Sequence, residues 1–151
     1  MNEELKTSQE GISLIKSFEG CELEAYRCSA DVLTIGFGHT SGVAEGQTCT
    51  SEEAESILVK DLEEFEGYVN NLVEQDLDQN QFDALVAWTF NLGPSNLKES
   101  TLLKKLNAGE FNLAPHEIKR WNRAGGEVLD GLIRRRKAEA LLFEGKAWEN
   151  V

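Results

Sequence analysis

The sequence predicts an α+β fold in which a small N-terminal lobe of strands faces a larger helical lobe, with a cleft between them. Three observations favour this fold class. Short segments of alternating apolar residues are confined to residues 23–40, and helical spacing of apolar residues dominates after residue 50. The 151 residues suffice for a buried core, and a hydrophobic share of 40% with only two prolines leaves little room for disordered linkers.

We therefore expect a single domain over residues 1–151. Its β lobe would span about residues 21–49, and its helical lobe would comprise residues 8–20 and 51–148. The helix that begins near residue 51 would join the two lobes. A cleft between lobes is a usual place for a ligand.

The first helix places an acid at its carboxyl end. Apolar residues recur at helical spacing from Gly11 to Phe18, and Gly20 is positioned to end the helix. Glu19 is then the last helical residue, where the helix dipole disfavours a second negative charge. Packing against Phe18 or Ile15 would add desolvation, and both effects raise the pKa of a carboxyl group, as a general acid requires.

Residues 23–40 predict two or three short strands, with residues 29–31 as a turn. Small or glycine positions alternate with bulky ones over residues 34–39, which is typical of a strand with one buried face. Glycines on the other face would allow a close approach to the backbone.

The long helix begins with a capping box over residues 50–53. Asp61 falls on its apolar face with Ile57 and Leu58, so its carboxylate needs a partner. His39 is the best candidate, in a structural pair that ties the strands to this helix. Two histidines and no clustered cysteines indicate no metal site, and we expect no cofactor.

Helices account for the rest of the chain. Asp78 and Gln81 begin one that ends at residues 93–94, and a further short helix covers residues 97–106. Pro115 suits the first turn of a helix that carries Ile118 and Trp121. The last helix would run from about residue 128 to residue 143.

The formal net charge of −12 argues against nucleic acid and anionic membranes as partners. The surface acids would keep the protein in solution, or the protein would act at high ionic strength, where charge repulsion is screened. Residues 1–10 carry no apolar stretch of signal-peptide length, so we expect accumulation in the cytoplasm.

Several motifs resemble one family. The run Thr-Ile-Gly-Phe-Gly-His spans residues 34–39 and begins with Thr34. It is preceded in the chain by Glu19-Gly20 and by Cys28. This stretch is similar to the active-site segment of phage-type lysozymes (endolysins), with Cys28 where that family usually has Asp. Further matching segments are residues 88–93, 120–126 and 131–136.

The resemblance implies a lysozyme-like fold and a glycoside hydrolase. Its substrate would be the β-1,4 bond between N-acetylmuramic acid and N-acetylglucosamine in peptidoglycan, and its outcome lysis of the host cell. Glu19 would be the general acid, and Thr34 would help to hold the attacking water or the intermediate. As a thiolate, Cys28 would activate water, stabilise developing positive charge or attack the sugar directly; these alternatives stay open.

The resemblance also assigns supporting groups. One of the three arginines 134–136, which we expect to be Arg135, would reach Glu19, and His39 would pair with Asp61. The alternative for the three arginines is a solvated helix face. The residues expected to line the saccharide cleft are Gly38, Thr40, Phe90, Asn91, Thr101, Trp121 and Asn122.

We further expect a monomer that stays in the host cytoplasm until a membrane-permeabilising holin releases it to the cell wall. Two rival functions are a catalytically silent peptidoglycan-binding protein of the same fold and a related chitin or chitosan hydrolase. Digests of defined oligosaccharides would separate the hydrolases.

The three cysteines are expected to be reduced in a cytoplasmic protein. A free thiol has a pKa of about 8.5, and we expect Glu19 or Asp31 nearby to raise that of Cys28. A sharper hypothesis is that oxidation joins Cys28 to Cys21 and switches the enzyme off.

Overall fold

The computed structural model describes residues 5–28 and 30–151. Within these ranges no helix combines the length and the apolar character needed to cross a bilayer. The helices and strands, in chain order, are α1 (Gln9–Glu19), β1 (Glu22–Arg27), β2 (Leu33–Gly36), α2 (Ser51–Leu72), α3 (Gln79–Leu92), α4 (Pro94–Glu99), α5 (Thr101–Asn107), a 3-10 turn (Phe111–Leu113), α6 (Ala114–Lys119), β3 (Arg123–Ala124), β4 (Glu127–Val128) and α7 (Asp130–Phe143).

The strands before residue 50 form one small antiparallel arrangement. β1 pairs with β2, with Tyr26 opposite Thr34. The other edge of β1 meets residues 47–49, where the Cys49 amide donates to the Leu23 carbonyl at 2.9 Å. The turn expected at residues 29–31 is present at residues 30–31, and Ser29 lies outside the described residues.

The expectation of one alternating strand over residues 34–39 is wrong. β2 ends at Gly36, and Ile35 and His39 exchange two backbone hydrogen bonds of 2.9 Å across a tight turn. Gly36 (φ 66°) and Gly38 (φ 84°) both adopt left-handed backbone conformations, which glycine tolerates best. The turn breaks the alternation, and residues 34–37 are all buried.

α3 is the centre of the helical core. Its residues 82–89 are all buried, and it packs against α1, α2 and α7. A helix that is buried on every side belongs to the interior of a domain. Trp88 is fully buried within it, and its indole Nε1 donates to the Ile118 carbonyl of α6 at 3.4 Å.

The start of α1 is fastened to two neighbouring helices. The Ser8 amide donates to Asp83 Oδ1 at 3.0 Å, and the Thr7 hydroxyl donates to Glu66 Oε2 at 2.7 Å. Gly11 is also pressed against α3, since a Cβ at this position would lie 2.8 Å from the Cβ of Asp83. These contacts connect α1 to both α2 and α3.

The helix predicted over residues 97–106 is two helices. Ser100 separates α4 from α5, and its hydroxyl donates to the Leu97 carbonyl at 2.7 Å and accepts from the Leu103 amide at 3.0 Å. The single hydroxyl thus ends one helix and caps the next. The expectation that Trp121 belongs to the helix with Pro115 and Ile118 is also wrong, because α6 ends at Lys119.

The last helix begins at Asp130, two residues later than predicted, and ends at Phe143 as predicted. The difference arises because residues 123–128 form a short hairpin, β3–β4, that the sequence analysis missed. The Gly-Gly pair at residues 125–126 is a frequent two-residue hairpin turn.

Candidate active site

Glu19 is held between a helix and the tight turn. It is the last residue of α1, and its Oε2 lies 2.7 Å from Arg135 Nη1. On its other side, a Cβ at Gly38 would lie 3.3 Å from Glu19 Oε1, so glycine leaves room for the carboxyl group. Its side chain keeps 20% exposure, which leaves one edge accessible.

Arg135 occupies the position that the sequence analysis expected for one of the three arginines. Its side chain is 4% exposed, and its Nε donates to Glu139 Oε2 at 3.1 Å. Its Nη2 donates to the Ala87 carbonyl at 3.2 Å, and its guanidinium lies 6.0 Å from the centroid of the Phe18 ring. All three guanidinium nitrogens therefore have partners, which fixes the group that contacts Glu19.

Arg136 and Glu139 form a buried pair that was not predicted from the sequence, so the alternative of a solvated helix face does not hold for Arg136. Both side chains are fully buried, and Arg136 Nη1 lies 2.8 Å from Glu139 Oε1. Burial raises the pKa of Glu139, although both guanidinium groups act in the opposite direction. The three-residue spacing of the pair along α7 was the available sequence signal.

A cleft of about 370 Å³ opens beside Glu19. The His39–Asp61 contact closes one side of it, with Nδ1 of His39 2.7 Å from Oδ2 of Asp61. Because a carboxylate accepts, the ring donates from Nδ1. The cleft brings together seven residues singled out from the sequence: Glu19, Gly38, His39, Thr40, Asp61, Phe90 and Asn91.

A larger depression of about 620 Å³ lies beyond the same carboxyl group. Its walls include Phe18, Leu132 and Trp148, together with Glu19 and Asn91. Glu19 and Asn91 line both depressions, so they form the partition between them.

Three residues expected to contact the saccharide are not among those that line the cleft beside Glu19. Thr101 and Trp121 line a separate depression of about 230 Å³. The Trp121 ring meets the buried Trp88 edge-to-face, with centroids 5.4 Å apart. The Asn122 carbonyl accepts from the Leu129 amide at 3.1 Å, which links the β3–β4 hairpin to the start of α7.

Cys28 and Thr34 contact each other at the far end of the β1–β2 pair. The pKa of Cys28 is lowered, first by the backbone amide of Val32, then by that of Ala30, with a smaller contribution from the Thr34 hydroxyl. The single proton of the Thr34 hydroxyl goes either to this thiolate or to the Val32 carbonyl, which lies 2.9 Å away. The expectation of a raised pKa for this thiol was therefore wrong, because backbone donors stabilise the thiolate.

Chain length limits the distance between these two groups and Glu19. Gly38 contacts Glu19 and follows Thr34 by four residues, so the Cα atoms of Thr34 and Gly38 are at most about 13 Å apart.

The proposed bridge between Cys21 and Cys28 does not fit the structure. The two residues lie at opposite ends of β1, which places them roughly 20 Å apart. A disulfide requires Cα atoms within about 7 Å. All three cysteines are free, and Cys21 is close enough to Cys49 for its charge to add to the burial that raises the pKa of Cys49.

Titratable side chains in the described ranges do not gather into a metal site: no group of three or more His, Cys, Asp or Glu residues there has the required proximity. The polar groups around the cleft are instead engaged with one another, as the Glu19–Arg135 and His39–Asp61 contacts show.

Comparisons with known proteins agree on one family. The family model for phage lysozyme matches residues 16–139. The endolysin of Bacillus phage B103 is 46% identical over 150 residues, covering 97% of this chain but 57% of the relative, so the chain spans less than three fifths of that protein. The endolysin of Salmonella phage P22 is 38% identical, covering 92% of this chain and 98% of the relative.

A solved structure gives the same result. The muramidase domain of SpmX from Asticaccaulis excentricus is 41% identical and superposes with a TM-score of 0.86, covering 91% of this chain and 97% of that domain. The expected lysozyme-like α+β fold is thereby confirmed. The chain belongs to the phage lysozyme family.

Proposed function

We propose that the protein is a muramidase that hydrolyses the β-1,4 bond between N-acetylmuramic acid and N-acetylglucosamine in bacterial peptidoglycan. The observation that carries this proposal is the placement of Glu19, whose carboxyl group is fixed between Arg135 and Gly38 at the edge of a cleft. Family membership and the endolysin and muramidase relatives support the same reaction.

In this reaction Glu19 donates a proton to the glycosidic oxygen as the bond from C1 to that oxygen breaks. Arg135 acts as a positioning residue, because its contacts with Glu139 and the Ala87 carbonyl prevent the carboxyl group from turning away. The His39–Asp61 contact joins the tight turn to α2 and so supports the wall opposite Arg135.

Cys28 and Thr34 would handle the second half of the reaction. The lowered pKa of Cys28 increases the fraction of thiolate at a given pH. The thiolate would take a proton from water as the water oxygen attacks C1. Thr34 would orient that water. This base mechanism inverts the configuration at C1, whereas direct attack by the sulfur followed by hydrolysis would retain it.

The decisive experiment compares release of soluble fragments from purified peptidoglycan by wild type and Glu19→Gln under reducing conditions. We expect release by wild type and a loss of at least a hundredfold in the variant. Glu22→Gln is the matched control, since Glu22 is exposed on β1 and should leave release unchanged. Binding of peptidoglycan without release by either protein would establish a silent wall-binding protein instead.

A second measurement addresses Cys28. Proton NMR of the first-formed product of a defined oligosaccharide distinguishes the α from the β anomer. We expect inversion; retention would contradict the base role and assign the sulfur as nucleophile. A Cys28→Asp variant provides the matched comparison, since its carboxylate can act as the base.

The physiological setting is part of the proposal. Residues 1–151 would act as one monomeric unit, with residues 21–49 on one side of the cleft and residues 8–20 and 51–148 on the other. Access to peptidoglycan would depend on a holin. Co-expression with and without a holin tests this, because culture lysis in its absence would remove that requirement.

A further inference from the structure

The carboxamide of Asn91 is fixed in one orientation by a buried cation. Arg136 is fully buried, and its Nη2 donates to Oδ1 of Asn91. A guanidinium carries only donors, so the oxygen of the carboxamide must face it and the NH₂ group must face away. Within the described residues, no group accepts a hydrogen bond from Asn91 Nδ2. Asn91 lines the cleft beside Glu19.

Arg136 is itself held in place. Its Nη1 donates to Glu139 Oε1 at 2.8 Å, and the other oxygen of Glu139 accepts from Arg135 Nε at 3.1 Å. Glu139 therefore anchors both arginines, of which one contacts Glu19 and the other Asn91. Because Arg136 and Glu139 are fully buried, neither side chain can swing to solvent. Asn91 is thus oriented before a ligand arrives.

We propose that Arg136 is a specificity-determining positioning residue, which makes Asn91 a hydrogen-bond donor to the acetamido carbonyl of a sugar in the cleft. This inference rests on the proposed function and adds a way of selecting N-acetylated glycan. A carbonyl oxygen can accept from the Asn91 NH₂ group. The ammonium group of a de-N-acetylated sugar offers only donors, so two donors would oppose each other without a partner.

The test measures kcat and KM on glycan strands that are fully N-acetylated and on the same strands after partial de-N-acetylation. The variants are Asn91→Ala, Arg136→Lys and the double variant. Lys at position 136 keeps a cation near Glu139 but cannot also hold the Asn91 oxygen. We expect each single variant to reduce the preference for N-acetylated strands by about tenfold, through KM, as loss of one oriented hydrogen bond implies.

The double variant separates positioning from general structure. If Arg136 acts through Asn91, the double variant loses no more preference than Asn91→Ala alone. Additive losses would overturn the proposal, and so would an unchanged preference in Asn91→Ala. Lys137→Arg is the matched control, because Lys137 is exposed on the same helix, lines neither depression and should leave the preference unchanged.

Two further measurements keep the outcome decisive. If Arg136→Lys does not fold, Asn91→Asp takes its place, since a carboxylate can still accept from Arg136 but cannot donate; an intact preference in that variant contradicts the proposal. Calorimetric binding of N-acetylated and de-N-acetylated oligosaccharides tests the same selection without cleavage. Absence of cleavage by wild type would refute the muramidase reaction, whereas equal binding of the two oligosaccharides would refute the role of Arg136.

Discussion

Replacing Glu139 by Gln should cost a large part of the stability of the protein. Glu139 is fully buried and accepts from Arg135 Nε at 3.1 Å and from Arg136 Nη1 at 2.8 Å. Gln keeps the shape and one acceptor oxygen, but its NH₂ group would face a guanidinium that only donates. The substitution also leaves two nearly buried cations with one anion fewer.

The magnitude follows from these contacts. Removing one partner of a buried ion pair typically costs about 3–5 kcal/mol, because an uncompensated charge stays in the interior. For a chain of this size, each 1 kcal/mol lowers the melting temperature by about 2–4 °C, so a fall of roughly 6–20 °C is expected. Loss of the Arg135 anchor should also lower the proposed muramidase activity.

Urea unfolding followed by tryptophan fluorescence gives the free energy of unfolding directly. Glu144→Gln is the matched control, since Glu144 is exposed just after the same helix and its contact with Lys146 should contribute less than about 1 kcal/mol. A loss below about 1 kcal/mol in Glu139→Gln, with an unchanged slope against urea, would refute the reasoning that this carboxylate compensates two buried cations.

Three further predictions concern local features. In single-cysteine variants, alkylation of Cys28 should reach half its maximal rate at a lower pH than that of Cys49, because backbone donors lower the pKa of Cys28 while burial raises that of Cys49; the reverse order would contradict the assigned causes. Gly11→Ala should lower the free energy of unfolding by about 1 kcal/mol or more, since the new Cβ would lie 2.7 Å and 2.8 Å from two side-chain carbons. Gly67→Ala is the control for Gly11→Ala, because no atom lies within 4 Å of the new Cβ, and it should raise the free energy of unfolding by up to about 1 kcal/mol. Thr50→Ala should cost about 1 kcal/mol in urea unfolding, because Thr50 Oγ1 accepts from the N3 amide of the long helix; no loss would mean that the cap is redundant.

Local chemistry explains which helix ends could be predicted. The capping box at residues 50–53, and the glycines that end α1 and α3, act through backbone groups within one turn, so their effect is visible in a short window. Ser100 acts in the same way, but it lies inside an apolar run that reads as one helix. The hairpin at residues 123–128 was hidden by the apolar spacing of the helix that follows.

The site was predictable where a motif covers it and not where partners are distant in sequence. The contact of Glu19 with Arg135 was expected from the family resemblance, and the pairing of His39 with Asp61 also from the need of an acid on an apolar face. The burial of Arg136 and Glu139 was not expected, because charged side chains are exposed by default. Their burial depends on α3 and α7 packing together, which no single segment specifies.

The contacts at both ends of α1 affect how much binding free energy the proposed reaction needs to position its acid. Ser8 and Thr7 tie one end of the helix to its neighbours, and Arg135 holds the carboxyl group at the other end. An 11-residue helix fixed at both ends is held rigidly, so the carboxyl group of Glu19, the proposed proton donor, is already in place before any ligand arrives. Little of the binding free energy is then needed to organise the acid.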